Sequence, residues 1–188
     1  RIRIGDRRKP PRLCQQNCLE FKSLLSGRLE IAMGLETVHP QVLQWLNKQM
    51  SLEDFQEATH RLISHDINVR AFVLLRPPFL TEQEGVHWAT KTMEYAFECG
   101  VECCSLVPVR GGNGVLDQLQ KRGDFTPPNL KSMESALVAG LGMKRGRVFM
   151  DLWDVQRFVT CHHCSSDRQH RILQMNQTQT VIQGDDCG

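Results

Sequence analysis

Strand-like and helix-like segments alternate along residues 28–108, and this alternation constrains the fold more than any other feature of the sequence. The strand-length apolar runs are residues 29–35, 68–75 and 101–107. Such runs are typical of parallel strands covered on both faces. Capping-box signals at 51–54 and 81–84 open helices between them, and Gly100 suits the end of the second helix. Because the connections are long enough for parallel crossovers, the sequence predicts an α/β fold.

The remaining chain continues this pattern and then changes character. A glycine-rich turn at 111–114 is followed by a helix to about residue 122, a helix over 130–143 and a strand over 147–152. Residues 159–188 are polar, short of aliphatic side chains and rich in Cys and His. We expect this last part to be an appendage outside the α/β core.

Composition favours a soluble globular protein of the cytoplasm. Hydrophobic residues make up 40% and charged residues 23% of the 188 positions, and no apolar run is long enough to cross a bilayer. The eight cysteines would suit disulfides in an exported protein, but Arg1 is not followed by a signal-peptide core. Three of the cysteines lie in or beside apolar segments, where a thiol packs as a small hydrophobic group: Cys99, Cys103 and Cys104. We therefore expect a reducing compartment and no membrane partner.

The net charge of +2 is small, but residues 1–12 form a basic arm with six Arg and Lys residues against a single Asp. Such an arm could contact nucleic-acid phosphates through counterion release. It could equally be a solvated chain end. The sequence leaves both interpretations open.

Unusual polar residues follow three successive predicted strands. Glu36 and Thr37 end the first, Arg76 follows the second, and the third leads into Arg110 and the glycine-rich turn. Because parallel strands place their carboxyl ends at one edge of a sheet, these residues could form a polar ligand site. The alternative is that Glu36 and Arg76 form a structural ion pair and that the glycines only turn the chain.

Four motifs in the same order resemble the second half of a radical S-adenosylmethionine (SAM) barrel, from its fourth strand onward. They lie at residues 29–40, 71–79, 104–114 and 146–153. Within that superfamily the sequence is similar to the branch of the elongator catalytic subunit and the radical SAM subunit of archaeosine synthase, over roughly residues 20–188.

The resemblance implies the C-terminal part of a (β/α)6 partial TIM-like barrel with parallel strands, plus a small Cys/His-rich extension. The expected divisions are a basic arm and entry helix at 1–27, the barrel part at 28–158 and the extension at 159–188.

By position, the resemblance implies that Glu36 and Thr37 help to hold SAM. The residues that it places along the adenosyl pocket are Arg76, Pro77, Pro108, Arg110, Gly111, Gly112 and Asn113. The implied activity is reductive cleavage of SAM to a 5′-deoxyadenosyl radical, and the implied use of that radical is the modification of a tRNA nucleotide. No catalytic side chain is assigned within this chain.

The sequence departs from the family at the iron–sulfur motif. Radical SAM enzymes hold a [4Fe–4S] cluster with three cysteines, usually spaced Cys-x3-Cys-x2-Cys. Cys14 and Cys18 have the first spacing, but Phe21 occupies the third position, and four residues also span one helical turn. We expect cluster ligands to come from outside this chain, with another chain supplying the N-terminal half of the barrel. The chain alone should bind SAM weakly and catalyse nothing.

The tail contains Cys161-His-His-Cys164, a spacing that suits tetrahedral zinc, with Cys187 as a third ligand. Surface thiols and a second iron–sulfur cluster are the alternatives. The rival function is a non-catalytic module that binds RNA or protein through this zinc knuckle and the basic arm.

The three tryptophans are predicted to pack in the core. Trp45 and Trp88 lie on apolar helix faces, and Trp153 follows a predicted strand. For Trp153 a position lining the substrate side is the weaker alternative.

Overall fold

A computed structural model describes residues 11–46, 50–112 and 114–184 of the chain, and contains one four-stranded parallel sheet. The strands are β1 (Glu30–Glu36), β2 (Asn68–Leu75), β3 (Cys103–Pro108) and β4 (Arg147–Met150). They lie in the order β1-β2-β3-β4, and every neighbouring pair is parallel. The predicted α/β class is confirmed.

The described residues contain seven α-helices. They are α1 (Pro11–Ser23), α2 (Pro40–Trp45), α3 (Leu52–Ser64), α4 (Glu82–Glu98), α5 (Val115–Arg122), α6 (Leu130–Gly142) and α7 (Ser165–Thr178). A 3₁₀ helix occupies Val155–Phe158. Both capping boxes are confirmed, at the starts of α3 and α4. Gly100 follows α4 with a φ of 89°, the left-handed conformation that glycine adopts most readily.

Helices cover one face of the sheet. Helix α3 packs on β2, α4 on the first three strands, and α6 and α7 on the last part of the sheet. Along β2 the side chains of Val69, Ala71 and Val73 are buried on the helix side, whereas Phe72 between them is 37% exposed. Strands that follow chain order, with crossover helices on one face, match a partial (β/α) barrel whose interior is the other face.

Helix α7 closes the outer edge of β4 with two carboxamides. The backbone N–H of Met150 donates to Asn176 Oδ1 (2.8 Å), and Asn176 Nδ2 donates to the Met150 carbonyl (2.9 Å). Gln179 makes the same two bonds to Val148, at 2.8 and 3.0 Å. These side chains occupy the hydrogen-bonding positions of a further strand, so the sheet ends at β4.

The composition of the tail predicted an appendage outside the core, and this prediction is wrong. Ile172 and Met175 of α7 are 0% exposed and belong to the main hydrophobic cluster. The polar sequence of the tail did not indicate that α7 packs against the sheet. A few apolar side chains are enough for this packing, because polar side chains of the tail also bond to β4 and α6. The proposed domain limits themselves stay a prediction.

Other local predictions had mixed outcomes. Helix α2, which carries Trp45, ends at that residue. The expected helix around Cys14 and Cys18 is α1, and the Cys18 side chain packs in the core. Residues 1–10, which carry most of the basic arm, lie outside the described residues. No helix in the described part of the chain is long and apolar enough to span a membrane.

Candidate functional site

The carboxyl ends of the four strands meet at one edge of the sheet, called here the carboxyl edge. The pairing of Leu75 with Pro108 places Arg76 and Arg110 just beyond neighbouring strands. The amide of Asp151 donates to the Leu106 carbonyl (2.9 Å), which places Asp151 at the same level beyond β4. Because Glu36 is the last residue of β1, all four strand ends bring charged side chains to this edge.

Backbone strain is concentrated at the carboxyl edge. Of the seven non-glycine residues with positive φ in the described chain, three lie one or two residues after a helix, where a left-handed residue is an ordinary cap. The other four lie at strand ends or in the loops that follow them: Glu36 (69°), Arg76 (53°), Phe79 (72°) and Asp154 (54°). Such conformations cost about 1–3 kcal/mol each and cluster at ligand sites. The strain supports a functional role for this edge.

Glu36 and Thr37 end β1 in an irregular turn. The pairing with β2 shifts by one residue between Gly34 and Glu36, so the strand bends at its last residue. Thr37 is 1% exposed and its hydroxyl accepts the amide of His39 (3.1 Å). The hydroxyl thus fixes the turn, while the Glu36 side chain is half-buried. A carboxylate in this position suits a ligand ammonium group.

The side chain of Arg76 is fixed by an ion pair and a hydrogen bond within this chain. Its guanidinium pairs with Glu82 at the start of α4 and donates to the Pro127 carbonyl (2.9 Å). A Cβ on Gly85 would lie 2.8 Å from the Cβ of Arg76, so glycine is needed where α4 passes the arginine. The sequence left open an ion pair with Glu36, but the carboxylate that Arg76 contacts is that of Glu82.

Arg110 links the ends of β3 and β4. Its guanidinium forms an ion pair with Asp151 (2.9 Å) and donates to the Trp153 carbonyl (2.6 Å from Nη2). The same group lies 5.2 Å from the ring centre of Trp153 and 5.3 Å from that of Phe158. Asp151 was missed as a site residue, although its place directly after an apolar strand was a usable signal.

The prolines nominated by the resemblance act through the backbone. Pro77 and Pro108 are both buried, so they present little surface to a ligand. Each fixes the direction in which the chain leaves its strand.

The glycine-rich turn already holds an anion from this chain. The amides of Gly112 and Gly114 donate to the two carboxylate oxygens of Asp117, at 2.6 and 3.2 Å. These bonds lower the pKa of Asp117, whose carboxylate they stabilise. Gly111 is half-buried beside them, and Asn113 lies outside the described residues. Asp117 shapes the turn, and sequence reasoning missed it.

Two tryptophans contradict the prediction of core packing. Trp45 is 55% exposed and Trp153 is 71% exposed, while Trp88 is half-buried. Trp45 contacts the exposed ring of Phe79 edge-on, with ring centres 4.7 Å apart. Apolar patterning alone misplaced these rings, because Trp45 ends a short helix and Trp153 follows the end of β4 in a loop.

The described residues do not fit a [4Fe–4S] cluster. Within 11–46, 50–112 and 114–184, no group of three or more His, Cys, Asp or Glu residues is arranged to hold a metal. Cys161 and Cys164 are both partly exposed and line one shallow pocket. Cys187 lies outside the described residues, so the zinc knuckle stays a prediction.

Comparison with known proteins gives distant similarity. No protein-family model matches the chain. An uncharacterized protein of Methanocaldococcus jannaschii is 23% identical over 155 residues, covering 73% of this chain and 42% of that protein. Archaeosine synthase subunit beta of Methanosarcina acetivorans is 24% identical over 131 residues, covering 66% of this chain and 37% of that protein. The chain thus spans about two fifths of the length of these curated relatives and shares a remote similarity with an archaeosine synthase subunit.

Proposed function

We propose that this chain is part of a radical SAM enzyme that modifies a tRNA nucleotide, and that the carboxyl edge forms part of its SAM pocket. The observation that carries the proposal is the similarity to archaeosine synthase subunit beta, whose name refers to a modified tRNA nucleoside. The chain's own structure supports it through the partial barrel and the strained carboxyl edge. In barrel enzymes the carboxyl edge is where active sites lie.

Each part of the carboxyl edge has a distinct expected role. The Glu36 carboxylate would accept hydrogen bonds from the ammonium group of SAM, because Glu36 is the last residue of β1 and is half-buried there. Arg76 and Arg110 would brace the pocket wall, since their guanidinium groups already bind Glu82 and Asp151. When bound with its cluster, SAM supplies the radical chemistry. The described residues offer no cluster ligands, and we derive no step through the cluster.

The whole enzyme would need further strands beyond β1. The outer edge of β4 is closed by α7, whereas β1 has no strand on its outer side in the described residues. A segment bearing the Cys-x3-Cys-x2-Cys motif would add its strands there. The tRNA substrate and this completing segment are the partners that we propose.

Saturation-transfer NMR with SAM tests the pocket, because it detects weak binding. We expect transfer to the SAM protons with the wild-type chain, and an apparent affinity at least about five-fold lower for Glu36→Gln. The matched control is Glu94→Gln, which removes a half-buried carboxylate that pairs with Lys91 on α4. Absence of transfer, or equal transfer in both variants, would refute the SAM pocket.

A second experiment tests the activity. The chain would be produced together with a segment bearing the three-cysteine motif, reconstituted with iron and sulfide, and reduced with dithionite. We expect 5′-deoxyadenosine to form in the combined protein and to disappear when the motif cysteines are changed to alanine. Formation of 5′-deoxyadenosine by this chain alone would contradict the proposal.

A further inference from the structure

A pocket between the beginnings of α6 and α7 brings two thiols together. Cys161 and Cys164 both line it. Cys164 is the residue that precedes α7, and residues 162–164 form a turn. The first and fourth residues of a turn lie within about 7 Å between Cα atoms. Disulfides bridge Cα atoms about 4.4–6.8 Å apart, so the turn suits a bond between these two sulfurs.

An ion-pair cluster lies beside this pocket. Lys131 and Arg168 line the pocket together with the two cysteines. Arg168 is 5% exposed and pairs with Glu134, which also pairs with Arg171 at 2.6 Å. These contacts join α6 to α7, so they fix the position of the turn that carries the two cysteines.

The other described cysteine side chains are less accessible than these two. Of the six that the structure describes, four are buried: Cys18, Cys99, Cys103 and Cys104. Burial raises the pKa of Cys103 to about 11 and that of Cys104 to about 12, which keeps both as unreactive thiols near neutral pH. Cys161 and Cys164 are partly exposed, so reagents reach them.

We propose that Cys161 and Cys164 are a redox-active dithiol that closes to a disulfide by exchange with a small-molecule disulfide. The thiolate of Cys164 attacks one sulfur of the oxidant, forming a mixed disulfide and expelling one thiolate. The thiolate of Cys161 then attacks the Cys164 sulfur, forming the Cys161–Cys164 bond and expelling the second thiolate. The chain loses two protons and two electrons, and the oxidant becomes two thiols. This site is independent of the proposed SAM pocket.

The test uses the wild-type chain in buffers of reduced and oxidised glutathione. After equilibration, thiols are blocked with iodoacetamide and the chain is mapped by mass spectrometry. We expect the peptide that contains both Cys161 and Cys164 to be unalkylated and 2 Da lighter than its reduced, unalkylated mass, while Cys103 and Cys104 stay reduced. Separate alkylation of both cysteines at every glutathione ratio would overturn the proposal, as would linkage of either one to Cys187.

A measurement of bound metal sharpens the result. Metal analysis of the untreated chain should give less than about 0.1 zinc per chain. Stoichiometric zinc that is lost in Cys161→Ser and Cys164→Ser would overturn the dithiol in favour of the zinc knuckle.

Discussion

Arg110 shows how one residue can join two strand ends. Its side chain is 12% exposed and its ion pair with Asp151 is reinforced by bonds to the Trp153 and Pro108 carbonyls. A hydrogen bond to a charged group contributes more than a neutral one, and removing the guanidinium takes this donor away from Asp151 and from both carbonyls at once. The loop after β4 therefore depends on this single guanidinium.

Arg110→Met should lower the free energy of unfolding by about 2 kcal/mol, because the Asp151 carboxylate loses its ion pair and the two carbonyls lose a donor. Urea unfolding monitored by circular dichroism measures the change. Lys91→Met, which removes an exposed pair with Glu94, should cost about 0.5 kcal/mol or less. An equal cost for the two variants would contradict the role given to Arg110.

Because the Cys104 thiol is buried, we expect the free energy of unfolding to fall in alkaline solution. Burial raises its pKa from 9.0 to about 12. Between these values the unfolded chain releases a proton that the folded chain keeps, so stability falls as the pH rises, by up to about 1.4 kcal/mol per pH unit for this thiol. Urea unfolding from pH 9 to 10.5 should therefore show a shallower decline in Cys104→Ala than in the wild type.

The matched control is Val148→Ala, which also removes core volume but no titrating group; Val148 is 0% exposed. Its decline with pH should equal that of the wild type. An unchanged decline in Cys104→Ala would exclude Cys104 as a source of the alkaline instability.

Sequence reasoning located residues at the carboxyl edge better than it identified their partners. Glu36, Arg76 and Arg110 were placed by counting strands, because strand ends follow from local patterns. The partners of the arginines, Glu82 and Asp151, depend on how helices and strands pack. The spacing of residues along the chain does not predict that packing.

At the scale of elements, the packing of α7 in the core is the feature that the sequence did not predict. Its inward side chains include the buried Arg168 as well as Ile172 and Met175. From the sequence alone, Arg168 is expected at the surface. It is buried because it pairs with Glu134 on α6, and sequence patterns do not reveal such a tertiary contact. The helices α3 and α4 were found because their capping boxes are local signals.

The carboxamides of α7 should hold β4 in the sheet. Asn176→Ala should lower the free energy of unfolding by about 2 kcal/mol, because it leaves the buried N–H and C=O of Met150 without partners. Gln177→Ala, at the exposed neighbouring position, should change it by no more than about 0.5 kcal/mol. Chemical denaturation compares the two, and hydrogen exchange at the Met150 amide should accelerate only in Asn176→Ala. Equal stability of the variants would contradict this role of α7.

At the scale of the whole molecule, the sheet has one covered face and one open face. The open face begins with an ion-pair network in which Glu30 contacts Arg70 (2.7 Å) and Arg147 (3.0 Å). It continues with the exposed ring of Phe72 and the half-buried ring of Phe149, over which the Arg70 guanidinium lies. Parallel sheets are normally covered on both faces, so the exposed ring of Phe72 favours association with another surface.

Neighbouring residues of β2 provide a test of this asymmetry. Phe72 is 37% exposed on the open face, and Val73 is 0% exposed on the helix face. Phe72→Thr should change the free energy of unfolding by about 0.5 kcal/mol or less, since its ring has little to pack against. Val73→Thr should cost about 1–3 kcal/mol, because it buries a hydroxyl group in an apolar environment. Threonine suits a strand at both positions, so only the environment differs.

The same pair of variants separates stability from association. If the open face drives self-association of the chain, sedimentation velocity should show less oligomer for Phe72→Thr at equal concentration, whereas Val73→Thr should associate at least as much as the wild type because it unfolds more readily. A completing segment that docks on β1 and the barrel interior should protect Phe72 and suppress association of the wild type in the same way. Equal association of Phe72→Thr and the wild type would show that the open face is not the surface through which the chain associates.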